Sequence, residues 1–381
     1  MKIIYPFPMH MSKGYTYMLS ILQFLNTLAD FVKVELLCLD SRNAIEDYLN
    51  SSLGLSLHKN LEVIQISNRK FGIKSNKLFF RRNFLNYVGK NYEEGLVIYT
   101  RDLKQMRIAL KNIKKSYPSV RFVLELHQIL SQNFCRDGNY HKAKEMQKLE
   151  EYVLSNIDDL ICITSTLSNE VNKNFPKSTK NQHILPVGFN KDFLKIEHEN
   201  SKSYDIVYTG SFSSWKGLDT LISALSIIKR EYKKDIRAVL IGADKKTRIK
   251  YSKIVNSNDL TDNITIKDKI AHKEIFQFIS KSKVGVLSNN YQGDAIFFTS
   301  PLKLYEYLGA GLKVVVSRLP SIESAIDPSL VYYATPENPD SFAIEIMRAL
   351  NDSSFKMQKV KDFAKEFTWE KRAQEFLSIL S

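Results

Sequence analysis

The sequence of 381 residues has no long apolar run, only three cysteines, and 41 acidic residues against 55 Lys and Arg. No apolar run reaches the roughly 18 residues that span a bilayer, so we expect no transmembrane helix. Only five residues precede Pro6, so the apolar stretch at the N-terminus is too short to be the apolar centre of a secretory signal. These absences favour a cytoplasmic protein.

The cysteine content and the spacing of possible metal ligands argue against a disulfide-rich protein and a metalloprotein. Cys38, Cys135 and Cys162 are odd in number and far apart, which argues against a disulfide framework and favours small buried thiols. No Asp-x-Asp occurs, and no His/Cys cluster has metal-ligand spacing. We therefore expect no metal site.

The shortage of acidic residues is most marked in residues 69–90, which contain none. The basic residues there are Arg69, Lys70, Lys74, Lys77, Arg81, Arg82 and Lys90, interspersed with Phe71, Phe79 and Phe80. Such a segment suits contact with an anionic membrane surface, and the alternative is a solvated helix face. No helix-turn-helix, zinc-finger or RNP pattern accompanies the charge, so we expect no nucleic-acid partner.

Short β-branched runs recur every 25 to 35 residues, with amphipathic helical stretches between them. This alternation is typical of βαβ units and a parallel sheet. Strands are predicted at 2–5, 33–39, 61–66, 96–100, 121–126 and 160–164, and then at 205–209, 238–241, 264–266, 284–287, 314–317 and 331–333. Two Rossmann-like domains follow.

The chain is long for one hydrophobic core and comfortable for two. Turn-forming residues at 186–190 mark the boundary. We place the first domain at 1–188, completed by a last helix within 366–381 that Thr368 caps, and the second domain at 189–365.

A helix start is predicted at Ser300, a favoured N-cap followed by Pro301 at the first helical position. A capping box would place Glu or Gln at position 303, where the chain has Lys303. A cation there opposes the helix dipole, which makes sense if Lys303 and the free N–H groups bind a phosphate. The alternative is a surface lysine that points away from the helix.

Glu306 follows in the same helix, surrounded by apolar and aromatic residues. A carboxylate in such company either lies on an exposed edge or has a function. It is suited to accept both hydroxyls of a ribose.

A second segment, 205–218, reads as a strand ending at Gly210, a polar loop, and a helix. Ligands bind at such strand–loop–helix junctions in α/β folds. Lys216 stands at the start of that helix, as Lys303 does in the other. Two lysines at two helix starts predict a pyrophosphate site.

These two segments resemble the donor domain of retaining glycosyltransferase family 4, whose members often read G-x-x-x-x-x-K-G and then S-P-L-K-x-x-E-Y-x-x-x-G. The resemblance covers residues 180–381 well and the first half in outline. It implies the GT-B fold, in which two Rossmann-like domains face a cleft and the C-terminal helix crosses back to the N-terminal domain.

The resemblance also implies functional residues. It assigns catalytic roles to His127, Lys216 and Glu306, and donor binding to Gly14, Gly210, Ser211, Lys216, Ser300, Leu302, Lys303 and Glu306. Many members have Arg where this chain has Ser211 and Glu where it has Phe298, so Lys303 and Asp294 are candidate substitutes.

The expected activity is transfer of a hexose-like sugar, without a metal or other cofactor, from a UDP- or GDP-sugar with retention of configuration. The acceptor would be a glycan or a lipid-linked glycan of cell-surface polysaccharide synthesis, and the enzyme would be cytoplasmic or peripheral on the inner face of the cell membrane. The alternatives are a nucleotide-sugar epimerase on the same scaffold and an inactive carbohydrate-binding relative.

Overall fold

The computed structural model describes residues 1–13, 16–70, 73–74, 76–179, 181–199, 202–293, 296, 298, 300 and 302–381. The chain divides into two compact units, Met1–Pro186 with Ala373–Ser381, and Val187–Arg372. The boundary thus lies two residues before the expected one, and the C-terminal return begins at Ala373 rather than at 366.

The first unit is built on a seven-stranded parallel sheet in the order β3-β2-β1-β6-β7-β8-β9, beside a separate two-stranded antiparallel hairpin, β4-β5. Its strands are β1 Lys2–Pro6, β2 Lys33–Cys38, β3 Leu61–Gln65, β4 Arg69–Lys70, β5 Ile73–Lys74, β6 Leu96–Thr100, β7 Arg121–Leu126, β8 Asp159–Cys162 and β9 Gln182–Ile184. Its helices are α1 Thr16–Leu28, α2 Arg42–Leu53, α3 Arg81–Lys90, α4 Leu103–Asn112, α5 Leu130–Arg136, α6 Tyr140–Leu154 and α7 Ser165–Asn174.

The second unit has a six-stranded parallel sheet in the order β12-β11-β10-β13-β14-β15. Its strands are β10 Tyr204–Thr209, β11 Ala238–Ala243, β12 Ile264–Asp268, β13 Ser282–Leu287, β14 Lys313–Ser317 and β15 Tyr332–Ala334. Its helices are α8 Leu218–Glu231, α9 Lys245–Ser257, α10 Phe276–Ile279, α11 Leu302–Gly309, α12 Pro320–Glu323, α13 Pro339–Asn351 and α14 Met357–Lys365. The last helix, α15, is Trp369–Leu380.

Local sequence accounts for most of these elements. All five residues of β1 and β6 are buried, as expected for parallel strands covered on both faces. Several helices begin where a side chain caps the free N–H groups; for example, Asp102 accepts hydrogen bonds from the backbone of Lys104 and Gln105. The prediction of two Rossmann-like α/β domains is confirmed.

All twelve predicted strands are present, each within two residues of the expected bounds. The prediction missed β9 and the hairpin β4-β5. These strands contain two or three residues and lack an apolar run, so the alternation that marks the other strands is absent from them.

The three cysteines were expected to be buried. Cys38 and Cys162 are buried. Cys135 is exposed and lies on α5, a helix that contains no buried residue.

The C-terminal helix begins as predicted, since Thr368 Oγ1 accepts a hydrogen bond from the backbone N–H of Lys371 at 3.4 Å. At its other end, Arg121 of β7 donates to the carbonyl oxygens of Ile379 and Leu380 at 2.8 and 2.5 Å. Arg121 is itself held by an ion pair with Asp159, 2.6 Å away. The arginine therefore satisfies the free carbonyl groups at the end of the helix.

Candidate functional site

The sheet of the second unit reverses its strand order between β10 and β13, which are neighbours although three strands apart in sequence numbering. In doubly wound sheets, ligands bind in the crevice at the carboxyl ends of the strands that flank such a reversal. The loops that leave β10 and β13 at this edge carry Lys216 and Ser288 respectively.

The loop after β10 is held in one conformation by the loop after β13. Ser288 Oγ donates to the carbonyl of Lys216 at 3.0 Å, and the backbone N–H of Asn290 donates to the carbonyl of Trp215 at 2.9 Å. Gly217 adopts a left-handed φ of 64°, and a Cβ there would lie 1.8 Å from the carbonyl oxygen of Ser288. Only glycine fits this contact, so the G that follows the lysine has a structural reason.

Lys216 places its ammonium over the Trp215 ring, 3.7 Å from the ring centroid. Among the described residues, none accepts a hydrogen bond from its Nζ or pairs with it. Burial, and then the positive charge of Lys303, lower the pKa of Lys216 to about 8. The site thus holds a cation that lacks a counter-charge from the described part of the chain.

Glu306 lies on α11 and is fully buried. Its Oε2 accepts from Lys303 Nζ at 2.8 Å, and its Oε1 lies 2.7 Å from His272 Nε2. Burial alone would raise the pKa of Glu306, but Lys303 and His272 outweigh it and hold the pKa below its ordinary value. Glu306 is therefore an ionised carboxylate with both oxygens engaged.

Helix α11 is fixed against the sheet by its aromatic residues. Tyr307 Oη accepts from the backbone N–H of Thr209, the last residue of β10, at 2.8 Å. Gly285 of β13 makes room for that tyrosine, because a Cβ there would lie 2.5 Å from the Tyr307 ring. Tyr305 stacks on Phe367 with ring centroids 4.4 Å apart. The helix therefore carries Lys303 and Glu306 on a rigid support.

The structure brings together Lys216, Lys303 and Glu306, three of the expected donor-site residues. Lys303, a predicted phosphate ligand, forms an ion pair with Glu306 at 2.8 Å. Ser300 Oγ accepts from the backbone N–H of Val187 at 3.3 Å, and Ser211 is exposed beside Ser213. Phe298 is buried. Gly14, Asp294 and Pro301 lie outside the described residues.

His272 was missed by the sequence analysis. It lies in the 3-10 turn His272–Glu274, which follows β12, and its partner Glu306 is 34 residues away. No motif surrounds it, so no local signal in the sequence could have indicated the contact.

The first unit has a second polar cluster, at the carboxyl ends of β6 and β7. His127 Nε2 lies 2.6 Å from Glu125 Oε1, and Arg101 Nη2 lies 2.8 Å from the same oxygen. Tyr99 donates its hydroxyl to Glu125 Oε2. Burial alone would lower the pKa of Arg101, but the charge of Glu125 outweighs it and raises the pKa. The fully buried Glu125 therefore orients His127, whose side chain is 32% exposed.

Asp40 fixes the start of the loop that follows β1. It accepts hydrogen bonds from the backbone N–H of Met11 at 2.5 Å and from the hydroxyl of Ser12 at 3.0 Å, and it lies 2.9 Å from His10 Nδ1. This is the loop expected to contain Gly14. The sequence analysis did not identify Asp40 as the residue that organises it.

The described residues contain no group of three or more His, Cys, Asp or Glu side chains placed to hold a metal ion. In this part of the chain, no helix combines the length and apolar character needed to cross a bilayer.

Residues 190–367, nearly the whole second unit, match the family model of glycosyl transferases group 1. The second unit is therefore similar to the glycosyl transferases group 1 family. No curated protein sequence matches the chain significantly.

Solved glycosyltransferase structures resemble the whole chain. Sucrose-phosphate synthase (tll1590) from Thermosynechococcus elongatus is 16% identical, with a TM-score of 0.73 over 99% of this chain and 98% of that one. Anabaena Alr3699/HepE in complex with UDP is 14% identical, with a TM-score of 0.73 over 100% and 99%. WaaG, a glycosyltransferase involved in lipopolysaccharide biosynthesis, is 13% identical, with a TM-score of 0.66 over 100% and 99%. The match of the second unit to the group 1 family model and these neighbours identify the fold as GT-B.

Proposed function

We propose that this protein is a glycosyltransferase that transfers a sugar from a UDP- or GDP-sugar, with retention of configuration, to a glycan or lipid-linked acceptor. The observation that carries the proposal is the Lys216 ammonium, which has no counter-charge among the described residues and lies at the ligand-binding edge of the second sheet. A diphosphate supplies the missing negative charge.

The charges around α11 fit a nucleoside diphosphate. Lys216 and Lys303 provide two cations against the single carboxylate of Glu306. The first-turn backbone N–H groups of Leu302 and Lys303 have no partner four residues earlier within the helix and can donate to phosphate oxygens. Glu306 is suited to accept ribose hydroxyls. The resemblance to HepE in complex with UDP supports a nucleotide of this class.

In the proposed reaction, an acceptor hydroxyl attacks the anomeric carbon on the face from which the diphosphate leaves. The carbon–oxygen bond to the diphosphate breaks, and a departing phosphate oxygen takes the hydroxyl proton. Lys216 and the N-terminus of α11 stabilise the negative charge that develops on the diphosphate, as preorganised dipoles and charges do in other enzymes. His127, oriented by Glu125, is the proposed catalytic residue of the first unit.

Slow transfer to water tests this proposal without knowledge of the acceptor. The protein is incubated with UDP-glucose, and separately with GDP-mannose, in the presence of EDTA, and the released sugar is followed by proton NMR before it mutarotates. We expect free nucleotide and the sugar anomer of the donor, at a rate that EDTA leaves unchanged. Release of the opposite anomer would contradict retention, and activity that requires added Mg²⁺ or Mn²⁺ would contradict metal independence. A new sugar-nucleotide without free nucleotide would indicate an epimerase.

We also propose that the first unit binds an anionic membrane surface. Neither α3 nor α4 contains an acidic residue, and the two helices contact each other. Their exposed basic residues are Arg81, Arg82, Lys90, Lys104, Arg107 and Lys111. The exposed Leu78 lies just before α3. The side chains of residues 69–77, which belong to the expected basic segment, lie outside the described part of the chain.

We expect the protein to sediment with phosphatidylglycerol vesicles at low salt and to be released at high salt. Each Lys or Arg near an anionic surface contributes about 1 kcal/mol, an attraction that salt screens within about 10 Å. Changing Lys74, Lys77, Arg81 and Arg82 together to Ser should abolish sedimentation. A matched control changes Lys245, Lys246, Lys250 and Lys253 of α9, in the other unit, to Ser. Protein that stays in the supernatant at low salt, or equal loss in both variants, would contradict the proposal.

A further inference from the structure

His272 and Glu306 form a buried pair that the expected donor site does not explain. The His272 side chain is 10% exposed and that of Glu306 is not exposed at all. The imidazole and the ring of Phe193 form a T-shaped pair with centroids 5.6 Å apart, and Phe193 in turn packs on Phe276 at 4.5 Å. Aromatic packing thus helps to hold the histidine in place.

The two groups that hold Glu306 differ in their freedom to move. Lys303 is 18% exposed, carries a long flexible chain, and lies near a second ammonium, that of Lys216, which repels it. His272 has two rotatable bonds and aromatic packing. A dianion placed near Lys216 therefore attracts Lys303 away from Glu306 but leaves His272 in place.

The burial of Glu306 restricts the access of a ligand to its carboxylate. Glu306 is fully buried, so a ribose hydroxyl reaches it only if a group that covers it moves. An ionised carboxylate that loses its only partner in a buried site is strongly destabilised. A second donor that stays in place removes most of that penalty and keeps the carboxylate oriented.

We infer that His272 is a positioning residue for ribose recognition: its Nε2–H holds Oε1 of Glu306 while Lys303 moves from Oε2 to the diphosphate, and Oε2 then accepts the ribose hydroxyls. This inference rests on the proposed function, because it needs a nucleoside diphosphate in the site. It assigns to this chain a selectivity for ribose over deoxyribose.

The tautomer that the inference requires is consistent with the contacts. When Nε2 donates to Glu306, the proton of a neutral imidazole is on that nitrogen, and Nδ1 is left as an acceptor. His272 Nδ1 is buried and has no hydrogen-bond partner among the described residues. The carboxylate is therefore the group that selects the tautomer.

The test compares three probes, which are UDP, 2′,3′-dideoxy-UDP and inorganic pyrophosphate, by calorimetry on the full chain. His272→Leu removes the donor at similar volume, and His272→Gln keeps an N–H donor near the position of Nε2. We expect His272→Leu to weaken UDP binding about tenfold, the effect of one hydrogen bond to a charged group, and to change the binding of the other two probes less than twofold. His272→Gln should recover most of the UDP affinity.

Several outcomes would overturn the inference. One is equal weakening of all three probes by His272→Leu, which would show a general structural role, and another is unchanged UDP binding. If His272→Leu does not fold, His272→Asn replaces it, because the shorter amide does not reach Glu306, and the same pattern is required. A parent protein that binds none of UDP, GDP and ADP would instead overturn the proposed function, and this inference with it.

Discussion

Replacing Lys216 by methionine is expected to weaken UDP binding by about 1.5–3 kcal/mol, or about 10- to 150-fold, the range for hydrogen bonds to charged groups. Methionine keeps an apolar stem beside Trp215, so the loop should retain its packing while the ammonium that we propose binds the diphosphate is lost. Isothermal titration calorimetry of UDP at pH 7 measures the change.

The same lysine predicts a pH dependence with a defined sign. Burial, and then Lys303, lower the pKa of Lys216 to about 8, whereas a bound diphosphate stabilises the charged form and raises that pKa. Binding above pH 8 therefore takes up a proton, and the UDP affinity of the parent should fall as the pH rises from 8 towards 10. Lys216→Met should lose this dependence.

The matched control for Lys216→Met is Lys253→Met, because Lys253 is an exposed lysine on α9 of the same unit. It should bind UDP like the parent at every pH. If Lys216→Met bound UDP as tightly as Lys253→Met, or if the parent affinity were flat from pH 7 to 10, the diphosphate would not contact Lys216.

Changing Glu306 to glutamine is expected to lower the free energy of unfolding by about 2–3 kcal/mol and to weaken UDP binding. Removing one partner of a buried ion pair typically costs about 3–5 kcal/mol, and the loss is smaller here because Lys303 is partly exposed and can reach water. Urea denaturation monitored by circular dichroism measures the stability.

A double variant separates the ion pair from other effects of the substitution. Glu306→Gln combined with Lys303→Met should be more stable than Glu306→Gln alone, because no ammonium is left without its carboxylate. The surface control is Glu323→Gln, whose glutamate is 41% exposed and pairs with Arg318 at 2.9 Å, and we expect a change within about 0.5 kcal/mol. Equal effects of Glu306→Gln and Glu323→Gln would show that the buried pair does not stabilise the fold.

The buried carboxylate also predicts where acid destabilises the protein. Burial alone would raise the pKa of Glu306, but Lys303 and His272 lower it below the ordinary 4.5. A carboxyl group whose pKa is lower in the folded state than in the unfolded state stabilises the fold fully at pH values above its pKa in the unfolded state. This stabilisation is lost as the pH falls through its pKa in the folded state. The parent should therefore lose stability below pH 4.5 more steeply than Glu306→Gln.

The sequence alone determined the fold of both units. Strand bounds such as Leu96–Thr100 and Arg121–Leu126 follow from buried β-branched and apolar runs, and Thr368 caps its helix through a contact three residues away. Such signals act over a few residues, so they can be read without the tertiary structure. The parallel sheets follow from the alternation of these elements.

The sequence also identified Lys216 and Glu306, because each is out of place in its local pattern. Only the tertiary structure decided what they contact. The pair of Lys303 with Glu306, the contact of His272 with Glu306 and that of Arg101 with Glu125 depend on which strands and helices become neighbours. Arg101 and Glu125 are 24 residues apart in the chain, and His272 and Glu306 are 34 residues apart. Burial, which makes those charges matter, arises only when the sheets and helices pack, and no local pattern encodes it.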